Sequence, residues 1–239
     1  PVKVIQTLPG AARSPFGSGL LLIRGANPED SGVYVDGIRI PIIYHLTGTT
    51  SVLQPDIIDS VDYLPGGYGA QYGRTMGGVV DVKTKSKIDE TKLTFGSDIL
   101  DSQVYFQTPL GKDKNHAFMA GFRRSYIDLF IPIFTGGTDF TLKPVYWDYQ
   151  TKYLAPAGEG EERSFFVYGF NDLLEVATPK DVDQGSDQDT QGNLRTRYGS
   201  HRVIGTWRKK LGANSSLLIQ PSVGIDDSEF GLGDSFRVQ

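Results

Sequence analysis

Cysteine is absent from the 239 residues. That excludes a disulfide scaffold, a zinc-thiolate centre and a cysteine nucleophile. Histidine is scarce: His45, His116 and His201 stand far apart, and none forms a metal-binding pair such as H-E-x-x-H. Charge of one sign is also lacking. Lys plus Arg is 24 and Asp plus Glu is 28, a formal net charge of −4, so a basic nucleic-acid-binding surface is not expected. No stretch approaches the roughly 18 consecutive apolar residues of a transmembrane helix. A transmembrane β-barrel is untouched by that exclusion, because its strands alternate and keep mean hydropathy low.

Catalytic signatures are missing as well. There is no G-x-S-x-G elbow. The Gly-rich stretch Pro65–Gly73 is not followed by Gly-Lys-Ser/Thr, and Tyr72 stands where a dinucleotide fingerprint needs its third Gly. No enzyme constellation and no cofactor are expected.

Glycine and aromatics are plentiful, with 29 Gly, 13 Phe and 12 Tyr. Short alternating runs separated by Gly, Pro, Asp and Asn dominate, which is the all-β signal. The character changes near residue 86. Before it, apolar runs are short and irregular: Leu20–Ile23, Val33–Val35 and Gly78–Val82. A short helix is expected at Pro55–Val61, with Asp56 and Asp59 in its first turns. Asp36-Gly37 suits a tight hairpin turn.

After residue 86 the alternation is cleaner. Val104, Phe106, Thr108 and Leu110 oppose Gln103, Tyr105 and Gln107. Val145, Trp147, Tyr149, Thr151 and Tyr153 oppose Tyr146, Asp148, Gln150 and Lys152. Leu217 to Ile225 reads as one further strand. Weaker versions lie at 91–97, 116–126, 163–173 and 194–207, giving seven strands in all. Short connections at Gly111–Asn115, Pro156–Glu162 and Gly212–Asn214 alternate with long polar ones near 130–144 and 174–192. That one-sidedness is the outer-membrane barrel pattern. A soluble β-sandwich also alternates and stays open on pattern alone. Aromatics at Tyr126, Phe130, Tyr146, Trp147, Phe165, Phe166 and Trp207 would be interfacial girdles in a barrel and core in a sandwich. Asp181, Asp183, Asp187 and Asp189 flank Gly185 with a spacing that departs from an EF-hand, and they read as a solvated loop.

A set of ordered motifs lies in residues 1–86. They are Leu8-Pro-Gly10, Leu22-Ile-Arg-Gly25, Val33-Tyr-Val-Asp-Gly-Ile-Arg-Ile-Pro41 and Ile57-Ile-Asp-Ser-Val-Asp-Tyr-Leu-Pro-Gly66. Tyr68-Gly-Ala-Gln-Tyr-Gly-Arg74 and Gly77-Gly-Val-Val-Asp-Val-Lys-Thr-Lys85 follow. In order and spacing this set resembles the plug domain of TonB-dependent outer-membrane receptors. The resemblance implies an α+β plug at 1–86, lacking its N-terminal part. Residues 87–239 would then be the first strands of an antiparallel transmembrane β-barrel, 22-stranded in the full protein. The start at Pro1 and the stop at Gln239 fit an internal segment of a larger chain.

The resemblance also implies function. Such receptors sit in the outer membrane of Gram-negative bacteria. They bind a scarce solute, typically a metal chelate, cobalamin or an oligosaccharide. They import it with energy relayed by TonB, and their other partner is outer-membrane lipid. Arg24 and Arg74 match plug positions that pair with Glu on the inner barrel wall, although either could pair within the plug. Gly25, Asp36, Gly37, Gly66, Gly73, Gly77 and Gly78 are the expected plug turns. Ile42–Thr50 matches an apical loop facing the outside, which makes Tyr44 and His45 ligand candidates. Tyr68 and Tyr72 are a second pair. A surface receptor or adhesin on the same scaffold, and a soluble β-sandwich module, are the alternatives.

Overall fold

The computed structural model describes residues 5, 7–13, 21–46, 48, 50–112, 115–126, 128–130, 141–177, 194–232 and 236–238. The aspartate-rich stretch 181–189 lies outside them.

The N-terminal unit is built on β-branched residues. β1 (Ala11–Arg13) pairs antiparallel with β2 (Leu21–Ile23). β3 (Gly32–Val35), β4 (Ile38–Ile40), β5 (Ile58–Leu64) and β6 (Val79–Thr84) form a sheet of order β4-β3-β6-β5. β3 and β6 run parallel, and the other pairs are antiparallel. Val33, Val35, Val80, Val82, Ile23 and Ile57 fill its core. The β3–β4 hairpin turns at Asp36 and Gly37, with φ of 50° and 84°. Positive φ at both central residues is the hairpin turn whose twist matches its strands.

The helix expected at Pro55–Val61 is not formed. A single 3-10 turn covers Pro55–Ile57, and β5 begins at Ile58. Pro55 and Asp56 do suit a helix start, but Ile57, Ile58 and Val61 are β-branched, and the stretch from Ile58 pairs with β6 instead.

The C-terminal part is a nine-stranded sheet. Its strands are β7 (Lys92–Ser97), β8 (Asp101–Leu110), β9 (His116–Ser125), β10 (Thr141–Ala155), β11 (Glu161–Ala177), β12 (Leu194–Gly212), β13 (Ser215–Ile219), β14 (Ser222–Leu232) and β15 (Phe236–Val238). Every pair is antiparallel, from β7 through β12 to β15. The expected strand at 217–225 is split. Both β13 and β14 pair with β12, and the break falls at Gln220-Pro221, where proline has no N–H for the ladder. The β8–β9, β10–β11 and β12–β13 strand ends joined by short connections lie at one end of the sheet. The C-terminal ends of β9 and β11 and the N-terminal ends of β10 and β12 lie at the other.

Candidate functional site

The N-terminal unit lies against the inner face of the long sheet through a mixed contact: Met119, Phe166, Phe170 and Ile204 join its apolar core, and a polar seam runs beside them. Strand alternation puts Tyr146, Asp148, Gln150 and Lys152 of β10 on that face, and all four are buried. Each one bonds the N-terminal unit. The Tyr146 hydroxyl meets Thr50 Oγ1 at 3.3 Å. Asp148 Oδ2 takes His45 Nε2 at 3.1 Å. Gln150 accepts the backbone N–H of Gln54 at 2.9 Å and donates to the Val52 carbonyl at 3.2 Å. Lys152 donates to Thr84 Oγ1 at 2.6 Å.

Neighbouring strands continue the seam. Asp172 of β11 meets His45 Nδ1 at 2.5 Å and accepts the Leu46 N–H at 2.8 Å. Arg123 of β9 donates to Asp148 at 2.6 Å and to the Ser51 carbonyl. Gly121 leaves room for Gln54, since a Cβ there would stand 2.5 Å from Gln54 Oε1. Nearer the short-turn end, Gln220 donates to the Asp36 carbonyl at 2.9 Å and Lys85 to Gln107 Oε1 at 3.1 Å.

Residues 43–46 and 50–52, which pair with each other, carry the deepest of these contacts. His45 N–H donates to the Thr50 carbonyl and Val52 N–H to the Ile43 carbonyl. His45 has no exposed surface, and Tyr146 stacks on its ring at 4.3 Å. Both ring nitrogens face carboxylates, so both must donate, which is the imidazolium form. Two cations, His45 and Arg123, then balance two anions, Asp148 and Asp172. Burial by itself pulls the His45 pKa down. Asp172 and then Asp148 outweigh it, and the pKa stands above its ordinary value.

The structure corrects one expectation. Tyr44 and His45 do not face the outside: both have 0% exposure. His45 is consumed by the two aspartates, and burial pushes the Tyr44 hydroxyl well above its usual range. Tyr68 and Tyr72 are half-buried. Tyr68 donates to the Thr75 carbonyl at 2.7 Å and Tyr72 to Asp81 at 2.9 Å. Arg24 is exposed, with a φ of 55°, and donates to the Pro65 carbonyl at 3.0 Å. Arg74 is exposed with a φ of 57°, and its side chain has no bonded partner among the described residues. Of the expected turn residues, Gly25 and Gly37 take positive φ, whereas Gly66 and Gly73 do not. Gly77 and Gly78 serve close packing: a Cβ on Gly78 would stand 2.5 Å from Ile23 Cγ2.

The sequence reading missed Arg123, Asp148, Gln150, Lys152 and Asp172 as site residues. The signal for three of them was present, as the polar face of β10.

The outer face of the sheet is of opposite character. Thr151 stands opposite Val167, Val167 opposite Val203, and Val203 opposite Val223. Trp147 and Tyr149 lie on the long-loop side of this apolar row, and Tyr153, Phe165 and Trp207 on the other. An apolar band between two aromatic girdles is the lipid-facing surface of a barrel. Tyr146 and Phe166, also expected in the girdles, instead face inward and are buried.

Residues 2–79 match the family model described as TonB-dependent Receptor Plug Domain. No curated protein sequence matches the chain. Among solved structures, the pyoverdine outer membrane receptor of Pseudomonas aeruginosa is similar with a TM-score of 0.63 at 13% identity, covering 96% of this chain and 35% of that one. A mutant ferric enterobactin receptor of Pseudomonas aeruginosa gives 0.57 at 16%, covering 95% and 38%. The siderophore receptor of Acinetobacter baumannii gives 0.51 at 15%, covering 95% and 42%. The chain thus spans less than half the length of these neighbours. At such identity they establish the fold, and the family model establishes the plug. The family is one of receptors, not enzymes. Residues 2–79 thus carry the TonB-dependent receptor plug domain, and this motif-bearing unit is seated on the inner face of an antiparallel wall with the fold of the outer-membrane receptor barrels it is similar to.

Proposed function

We propose that the full-length protein imports a scarce solute across the outer membrane, with TonB displacing the plug from the periplasmic side. The carrying observation is the polar seam between plug and wall. Beside the apolar contact of Met119, Phe166, Phe170 and Ile204 with the plug core, the seam holds the plug through hydrogen bonds that water can take over once the plug shifts. Residues 1–86 serve as the plug and 87–239 as wall. A closed barrel of 22 strands, wide enough to hold a plug, takes its remaining strands from outside this chain.

Long loops in such barrels are extracellular and short turns periplasmic. The described end of the plug that carries Thr50 therefore points outward. Solute binding is assigned to the extracellular loops and to the plug loop with Tyr68 and Tyr72. Arg24 and Arg74 are assigned to pairing with Glu residues of later wall strands, because a guanidinium grips a carboxylate bidentately. The solute is a metal chelate, cobalamin or an oligosaccharide. Chelates come first in the assay because the neighbours are named for siderophores.

The test is accumulation of labelled ferric chelates, cobalamin and oligosaccharides by cells carrying the full-length protein, with and without a protonophore. Accumulation that the protonophore abolishes, with surface binding retained, is expected. Surface binding that never leads to accumulation would make the protein a receptor without import.

A further inference from the structure

We propose that His45, clasped as an imidazolium between Asp148 and Asp172, is a titratable latch tying the outward segment of the plug to wall strands β10 and β11. This inference rests on the plug-and-wall reading, and it concerns a contact separate from Arg24 and Arg74.

The geometry supports it in three ways. First, the clasp crosses the interface. His45 belongs to the plug, and both carboxylates belong to the wall, 103 and 127 residues further along the chain. Second, the clasp is closed to water: His45 and Asp148 side chains are 0% exposed and Asp172 2%. Buried charges of this kind hold only while they balance. Third, among the described residues no second cation is bonded to Asp172. Among the described residues, the charged and titratable groups packed here are Arg123 from β9, Tyr146 and Asp148 from β10, Asp172 from β11, Tyr198 from β12 behind Phe170, Tyr44 from the plug itself, and Asp101 from β8. Asp101 accepts from the Tyr146 hydroxyl at 2.5 Å, and Arg123 is spent on Asp148 and the Ser51 carbonyl.

Loss of the His45 proton therefore leaves one cation against two buried carboxylates and removes a donor from one of the rings' two contacts. The sign follows from linkage. The folded pKa is raised above the ordinary imidazole value. The latch is at full strength below about pH 6.5, and it weakens as pH rises toward and through the folded value. Over that window, opening releases one proton, so the closed state loses about tenfold in population ratio per pH unit.

The experiment is amide hydrogen exchange on the full-length receptor in detergent, from about pH 6 to about pH 9, corrected for intrinsic rates. The probes are the N–H groups of His45, Leu46 and Val52, which bond Thr50, Asp172 and Ile43. Protection there should be constant near the acid end. Above about pH 6.5 it should then fall, by up to about tenfold per pH unit, and level off once the folded value is passed. Amides of β3 and β6 in the plug core should stay flat. In His45→Gln the pH dependence should vanish. Flat protection in the wild type, or the same slope in His45→Gln or across the whole plug, would overturn the latch. The wild-type titration decides alone if the variant does not assemble. No solute or TonB is needed, so failure here is distinguishable from failure of uptake.

Discussion

Lys152 on the wall and Asp36 in the plug hairpin stand 3.3 Å apart, and the same ammonium donates to Thr84 Oγ1 at 2.6 Å. Asp36 also accepts from the Thr84 N–H at 2.8 Å and from its hydroxyl at 2.5 Å. One wall cation thus pins the hairpin turn to the end of the plug's central strand. Lys152 is 2% exposed. Removing one partner of a buried pair costs about 3–5 kcal/mol. Lys152→Met should therefore lower amide protection at Thr84 by about a hundredfold, roughly 3 kcal/mol at one decade per 1.4 kcal/mol. Unchanged exchange would mean that water already serves Asp36.

Gly78 tests the packing inside the plug. An added methyl would meet Ile23 Cγ2 at 2.5 Å and the Leu64 carbonyl at 3.2 Å. Overpacking of this kind costs about 1–3 kcal/mol. Gly78→Ala should make the plug more protease-sensitive while the boiled and unboiled barrel bands stay as in the wild type. A plug as resistant as before would show that Ile23 can move aside.

Val203 tests the membrane face. It lies in the apolar row between Val167 and Val223, with aromatic residues to either side along the strands. An arginine at the bilayer midplane of a barrel costs about 2–4 kcal/mol. Val203→Arg should reduce folded barrel in outer membranes or lower its denaturant midpoint. An unaffected midpoint would place this row away from lipid.

Arg74 tests the proposed lock to the later wall. Arg74→Ala in the full-length protein should speed amide exchange in the plug segment 65–78 without changing that of 43–52, which is held by β9 to β11. Identical exchange throughout would leave Arg74 without a role in seating the plug.

Much of this could be read from the chain itself. Alternation along Val145–Tyr153 identified the two faces of β10, because strand side chains have period two whatever the surroundings. Asp36-Gly37 announced its turn through backbone preference alone. Pro55-Asp56 misled, since a helix start and a 3-10 turn share the same first residues. Whether β5 pairs with β6 is settled 20 residues away. His45 was the plainest failure. The match to an apical loop placed it outward, although Ile42, Ile43, Tyr44 and Leu46 around it are apolar, and its aspartates come more than 100 residues later. Alternation exposed the polar face of β10 but not what that face would touch.

The most direct measurement is the gel mobility of the full-length protein from isolated outer membranes, with and without boiling. A closed barrel pairs every strand and resists detergent until heated. A protein found in the outer-membrane fraction, with a fast unboiled band that slows on boiling, is the expected result. A soluble protein with one mobility under both conditions would contradict it.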